Sequence, residues 1–197
     1  ILLGNAATLG SGGGNKVNYL ESKLREHHYD VVAITETGFT ENGMVALEGY
    51  KKMSSNPRLR GDGSTVVQAG TAVWRKANSE LIINYADEIN VEGCQMVQIG
   101  TNQGYSIIVI YRSPNQTKKG IKNLIEYVYK LEGECVIIGD LNLPDADWET
   151  GKVGGGSQNK NLKNRAEQEE LIEALKNNDR TIEQLNQQEE RKLRKVY

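Results

Sequence analysis

Histidine and cysteine are scarce in this chain, and its charges nearly cancel. The two histidines, His27 and His28, are adjacent at the end of a helical pattern. Consecutive helical residues do not share a face, so the pair cannot serve one site together. A capping or solvated role suits cations at a helix C-terminus. The two cysteines, Cys94 and Cys135, form no CxxC motif and lie in apolar, strand-like stretches. They read as buried thiols rather than a disulfide or a metal site, which fits an intracellular setting. No apolar run approaches the ~20 residues of a membrane span. Ile1-Leu2-Leu3 is too short for a signal-peptide core, so no membrane partner is expected. A net charge of −2 excludes bulk attraction to nucleic acid but not a local basic stripe. The glycine-rich stretch Thr8 to Gly14 lacks the GxxxxGK[ST] spacing of a phosphate-binding loop.

The chain has 197 residues, enough for one domain with a small appendage. Its organising stretch runs from Val136 to Asp145. Three apolar residues predict a strand buried on both faces, and Gly139-Asp140-Leu141-Asn142 breaks it. Alternation points Asp140 and Asn142 the same way, so a carboxylate and an amide leave the strand end together. An Asx turn that caps a strand and a site for a metal-bound water or phosphate oxygen fit this decapeptide equally well.

Other stretches repeat the design. Ile1 to Ala6 reads as a short buried strand ending at Asn5, and Asp30 to Thr37 as a second ending at Glu36. Gln68 to Arg75, Leu81 to Tyr85 and Gln95 to Gly100 read as strands, with Lys76 to Ser79 as a turn and Asn102-Gln103-Gly104 as a hairpin turn. Tyr105 to Tyr111 is a strongly apolar strand that runs into Arg112-Ser113-Pro114-Asn115. Helical spacing predicts helices over Lys16 to His28, Lys118 to Leu131 and Ala166 to Asn177. Asn56 to Gly63 is a polar, basic loop, and Gly151 to Asn159 a glycine-rich one. Residues 179–197 form a charged segment read as a helical tail, appended to a domain over residues 1–178. Its heptad breaks at Glu189, against a stable coiled coil. Asn5, Glu36, Tyr111 to Asn115, and Asp140 with Asn142 therefore all lie at ends of apolar strands, where polar groups can converge on one rim.

The ordered set Asn5, Thr35-Glu36-Thr37, Gly70-Thr71-Ala72-Val73, Tyr111 to Asn115 and Gly139-Asp140-Leu141-Asn142 resembles the endonuclease/exonuclease/phosphatase superfamily, the DNase I-like and exonuclease III-like proteins. The wording "DVVAITET", "IYRSPN" and "GDLNLPDADW" is most similar to the apurinic-endonuclease-like domain of non-LTR retrotransposons. The resemblance covers about residues 1 to 150. It implies a layered α/β sandwich, incomplete on its C-terminal side, and Mg²⁺-dependent phosphodiester cleavage, with Mn²⁺ suiting the same oxygen ligands. It implies DNA as partner, nicked at a target site, a reverse-transcriptase domain or a further segment completing the site, and a nuclear location.

Carried over by resemblance, Glu36 is a metal ligand and Asn5 helps to hold metal or phosphate. Asp140 orients or deprotonates the attacking water, Asn142 contacts the phosphate, and Tyr111 and Asn115 line the phosphate site. Arg112, Arg58, Arg60, Lys118 and Lys119 are candidates for DNA backbone contacts. The late Asp and the Ser-Asp-His with which the superfamily closes its site do not appear, and no histidine follows His28. Two further readings therefore stand beside an endonuclease. One is a catalytically incomplete module that binds DNA or a partner. The other is a phosphatase or phosphodiesterase for small molecules on the same fold.

Overall fold

A computed structural model of the chain describes residues 1–6, 9, 14–40, 43–59, 69–154 and 164–176, and the backbone of 181–184. Most of the glycine-rich stretch Thr8 to Gly14, half of the basic loop with Arg60 in it, the loop beyond Gly154 and the end of the charged segment lie outside the described residues.

The apolar runs form strands because β-branched residues fit a pleated, buried surface. In chain order, β1 (Leu2–Asn5) precedes helix α1 (Gly14–Glu26), and β2 (Val31–Thr35), β3 (Tyr50–Asn56) and β4 (Thr71–Lys76) follow. Next come β5 (Ile83–Val91), β6 (Cys94–Thr101), β7 (Ser106–Arg112), helix α2 (Lys118–Lys130) and β8 (Cys135–Asp140). A two-residue ladder, β9 (Ala146–Asp147) with β10 (Lys152–Val153), helix α3 (Arg165–Lys176) and β11 (Thr181–Gln184) complete the order. Thr117 starts α2 by accepting the Gly120 N–H at 3.0 Å, one of the orphan donors of a helix N-terminus.

The strands make two sheets, ordered β1-β2-β4-β3 and β11-β8-β7-β6-β5. Three apolar clusters define the layers. Leu20 and Leu24 of α1 pack on Val32, Ile34 and Trp74, on the outer face of the first sheet. Val31, Ala33 and Val73 meet Val97, Ile107, Val109 and Ile138 between the sheets. Ile121, Leu124 and Val128 of α2 and Leu171, Ile172 and Leu175 of α3 cover the outer face of the second sheet. The result is a four-layer α/β sandwich, as the resemblance implies.

Two local readings need correction. The strand expected to stop at Tyr85 runs on to Val91 and turns back through Glu92-Gly93 into β6. It is an edge strand with much of its length exposed, so its polar residues hide it from a search for apolar runs. Lys76 to Ser79 is a turn as expected, the Ser79 N–H donating to the Lys76 carbonyl at 3.3 Å, and it leads from one sheet into the other. Residues 181–184 are extended, not helical, and pair in parallel with β8, Thr181 opposite Val136 and Gln184 opposite Gly139. Backbone pairing to a buried strand overrides the helical preference of a charged segment.

Candidate active site

Strand register builds one polar row on each sheet. On the first sheet Asn5 lies opposite Thr35, Thr35 opposite Thr71, and Thr71 opposite Asn56. On the second sheet Asp140 lies opposite Tyr111 and Tyr111 opposite Gln95. Paired residues share a face, so each row is continuous. All seven residues are buried. Two side chains tie the rows together across the sandwich. Asn5 Nδ2 donates to Asp140 Oδ2 at 3.1 Å. At the other end Asn56 Nδ2 donates to the carbonyls of Ile89 and Met96 at 3.0 and 2.8 Å. The apolar filling between the sheets thus ends in a polar rim.

The predicted residues take up this rim in different ways. Asp140 leaves β8 just after Gly139, whose φ of +143° and contact with β7 admit no side chain: a Cβ there would lie 1.9 Å from the Ile110 carbonyl oxygen. The Asp140 carboxylate is held from two sides, by Asn5 at Oδ2 and by the Asn142 N–H at Oδ1, 2.9 Å. Asn142 sits at φ 47°, a left-handed conformation that Asn tolerates. Its amide is turned inward and donates to the Arg112 carbonyl at 2.6 Å. Glu36, at φ 52°, is a rarer left-handed residue and is buried. The backbone around it is fixed, since Ala6 N–H donates to the Thr35 carbonyl and Leu9 N–H to the Thr37 carbonyl. Strained positive φ at a polar rim is a common mark of functional sites.

Tyr111 reports the charge of the rim. Burial chiefly, then the carboxylates of Glu36 and Asp140, push its phenol up to about 12, with the Arg58 guanidinium opposing the rise. Near neutral pH it is therefore a neutral hydroxyl able to donate. Arg58 is half-buried and close enough to act on Tyr111 and Cys94.

Asn115 is not brought into this set. It is exposed in the turn before α2. Lys119 is exposed on α2, and Lys118 is ion-paired with Glu167 of α3. Arg112 corrects the expectation of a DNA backbone contact. It is 1% exposed, on the opposite face of β7 from Tyr111, and donates from Nη1 to the carbonyls of Leu141 and Asn142 at 2.9 and 3.3 Å. A guanidinium so covered cannot reach a phosphate chain in solvent. Thr35 and Thr71 stood in the quoted motifs without a role of their own, and Asn56 and Gln95 were not singled out by sequence reading. Counting outward from the Asn102–Gly104 turn would have placed Gln95 opposite Tyr111.

The oxygens at this rim suit a hard divalent cation. No group of three His, Cys, Asp or Glu side chains gathers among the described residues. Mg²⁺ needs only one or two carboxylates because it keeps several waters, and Glu36 and Asp140 supply two beside the Asn5 amide. Buried Thr37 Oγ1, Thr71 Oγ1 and Gln95 Oε1 have no hydrogen-bond partner among the described residues.

Comparison with known proteins agrees with this architecture. The family model described as endonuclease-reverse transcriptase matches residues 105–195. No curated protein matches the chain significantly. Among solved structures, an AP endonuclease from Leishmania major is similar at TM-score 0.52 and 14% identity, over 88% of this chain and 65% of its own. An endonuclease/exonuclease/phosphatase protein from Beutenbergia cavernae gives 0.51 and 12%, over 87% and 52%. A 3'-5' exonuclease from Neisseria meningitidis gives 0.50 and 13%, over 74% and 59%. The chain thus spans between 52% and 65% of the length of these three structures. Fold, ordered strand-end motifs and family match agree: the chain has the fold of the endonuclease/exonuclease/phosphatase proteins, and its C-terminal half is similar to the endonuclease-reverse transcriptase family.

Proposed function

We propose that this chain carries the active site of a metal-dependent DNA endonuclease that nicks target DNA for a non-LTR retrotransposon. The carrying observation is the bond from Asn5 to Asp140, which joins the two polar rows beside Glu36 and Tyr111. The match to a family described as endonuclease-reverse transcriptase supports a reverse-transcriptase partner, and with it work on chromosomal DNA in the nucleus. Glu36, with the Asn5 amide oxygen, would hold Mg²⁺ or Mn²⁺. Bound there, the ion would supply Lewis-acid stabilisation of charge developing on the phosphoryl oxygens.

The chain's own groups divide the remaining work. Asp140, fixed by two hydrogen bonds, aligns the attacking water and takes its proton. Tyr111 keeps its phenolic proton and donates a hydrogen bond to a non-bridging phosphate oxygen. Asn142 is assigned to the same oxygens from the β8 turn, and Asn115, exposed in the turn before α2, to the substrate phosphates only as the DNA approaches that turn. Arg58, Arg60, Lys118 and Lys119 are assigned to the flanking DNA backbone, where each contact adds to the salt dependence of binding.

The test is supercoiled-plasmid nicking with Mg²⁺ and with a chelator, beside Asp140→Ala and Glu36→Ala. Metal-dependent nicking lost in both variants is the expected result. Nicking that survives both substitutions would remove these assignments. A second reading is binding without cleavage on the same fold. It predicts salt-sensitive DNA binding with no nicking by a folded chain.

A further inference from the structure

We infer that Arg112 is a positioning residue, holding the Asp140–Asn142 turn in its working shape from behind the second sheet. The inference deepens the endonuclease reading and rests on it. Arg112 follows Tyr111 in β7, so the two side chains leave opposite faces of the sheet. Tyr111 faces the polar rim, whereas Arg112 lies on the helix-covered side beside Cys94 and the turn after β8. It is almost fully buried, and no carboxylate among the described residues lies within ion-pair distance. A buried guanidinium without a partner carboxylate stabilises a fold poorly, so its placement asks for another reason.

The hydrogen bonds supply one. Arg112 Nη1 donates to the carbonyls of both Leu141 and Asn142, at 2.9 and 3.3 Å. Asn142 Nδ2 donates back to the Arg112 carbonyl at 2.6 Å. The Asn142 N–H in turn donates to Asp140 Oδ1 at 2.9 Å. These bonds close a ring from β7 to the turn and back to the carboxylate of the site. Asn142 is in the left-handed region at the centre of that ring. Without the guanidinium, the two carbonyls lose their donor, and only the Asn142 bonds to the Arg112 carbonyl and to Asp140 oppose relaxation of Asn142 to right-handed geometry. The N–H that orients Asp140 then swings away. Arg112 touches neither substrate nor metal in this account; it acts through Asn142 and Asp140. Its planar fork can serve two carbonyls on one turn from a single nitrogen, with the charge strengthening both bonds.

The experiment compares wild type with Arg112→Met, similar in length but with neither donor nor charge. Amide hydrogen exchange at Asn142 reads the turn directly, and steady-state nicking reads its consequence. The expected result is exchange at Asn142 faster by at least about tenfold while β2 amides keep wild-type rates. With it comes a kcat lower by about 100-fold, the scale of a misplaced catalytic group, and a KM within about threefold. Unchanged exchange, or faster exchange with unchanged kcat, would overturn the inference. Should Arg112→Met not fold, Arg112→Lys keeps the charge and loses the fork. Faster Asn142 exchange and a kcat down by at least about tenfold then support the role, and wild-type values refute it. If wild type itself does not nick, the endonuclease reading fails separately, and exchange at Asn142 alone decides whether Arg112 holds the turn.

Discussion

Substituting Gly139 by alanine probes the most crowded point behind the candidate site. Gly139 lies in β8 opposite Ile110 of β7 on one side and Gln184 of β11 on the other. An added Cβ would lie 1.9 Å from the Ile110 carbonyl oxygen and 2.8 Å from its nitrogen and carbonyl carbon, all backbone atoms that no rotamer change can move. Relief to even 3.0 Å requires β7 and β8 to separate by more than an ångström, against the buried packing on both faces. Such overpacking costs about 1 to 3 kcal/mol, and the positive φ adds about 1 to 2 kcal/mol. The expected loss is therefore about 4 kcal/mol, a large fraction of the 5 to 15 kcal/mol typical of a domain. Gly104→Ala is the control. It also has positive φ, +87°, but nothing lies within 4 Å of its missing Cβ, so only the backbone term of about 1 kcal/mol remains. Urea unfolding of both variants measures the difference. Because Asp140 and Tyr111 sit one pair beyond the strained contact, nicking should fall in Gly139→Ala and stay at the wild-type rate in Gly104→Ala. A Gly139→Ala variant no less stable than Gly104→Ala would refute the reasoning.

Two further outcomes follow from the rim. Asn5→Ala removes a buried hydrogen bond to a carboxylate and should destabilise by about 2 kcal/mol in urea unfolding; a loss under about 0.5 kcal/mol would show that the two sheets are not tied there. Tyr111, held near 12 by burial and the neighbouring carboxylates, should contribute stability that is complete below pH 10, the ordinary phenol value, and is lost as pH rises towards 12. The absorbance at 295 nm of wild type minus Tyr111→Phe should therefore rise with a midpoint near 12, and a midpoint near 10 would sink the assignment.

Much of the site was legible because its members share one local pattern. An apolar run that stops at Asn5, Glu36, Tyr111 or Asp140 signals a buried strand with a polar end, and four such ends in order suggested one rim. What local pattern cannot tell is what covers a residue from elsewhere in the chain. Arg112, next to Tyr111 at a strand end, read as a solvent-facing cation. Its burial comes with the turn after β8 and with β6 beside it, close by only once the sheet has formed. The polar edge strand β5 and the strand at 181–184 were missed for a related reason. Their extended form depends on a neighbour's backbone, and their side chains carry little of the apolar alternation that marks a strand.

Glu36 and Asn142 both adopt left-handed backbone just beyond a strand of the sandwich, Glu36 one residue past its end and Asn142 two. Continuing the extended geometry would carry the residue after Thr35 to the helix-covered face, where Ile34 and Trp74 pack. A positive φ reverses that direction at once, at a cost of roughly 1 kcal/mol for a residue with a Cβ. At Asn142 the offset is the ring of bonds through Arg112. At Glu36 it is the pair of backbone bonds that flank it, from Ala6 and Leu9. The strain is therefore held by partners distant in sequence, and the two turns should stiffen only as the sheets assemble. Hydrogen exchange at Thr37 and Asn142 should then follow global unfolding in urea. Exchange there through a much cheaper local opening would show that the turns are not held by the sandwich.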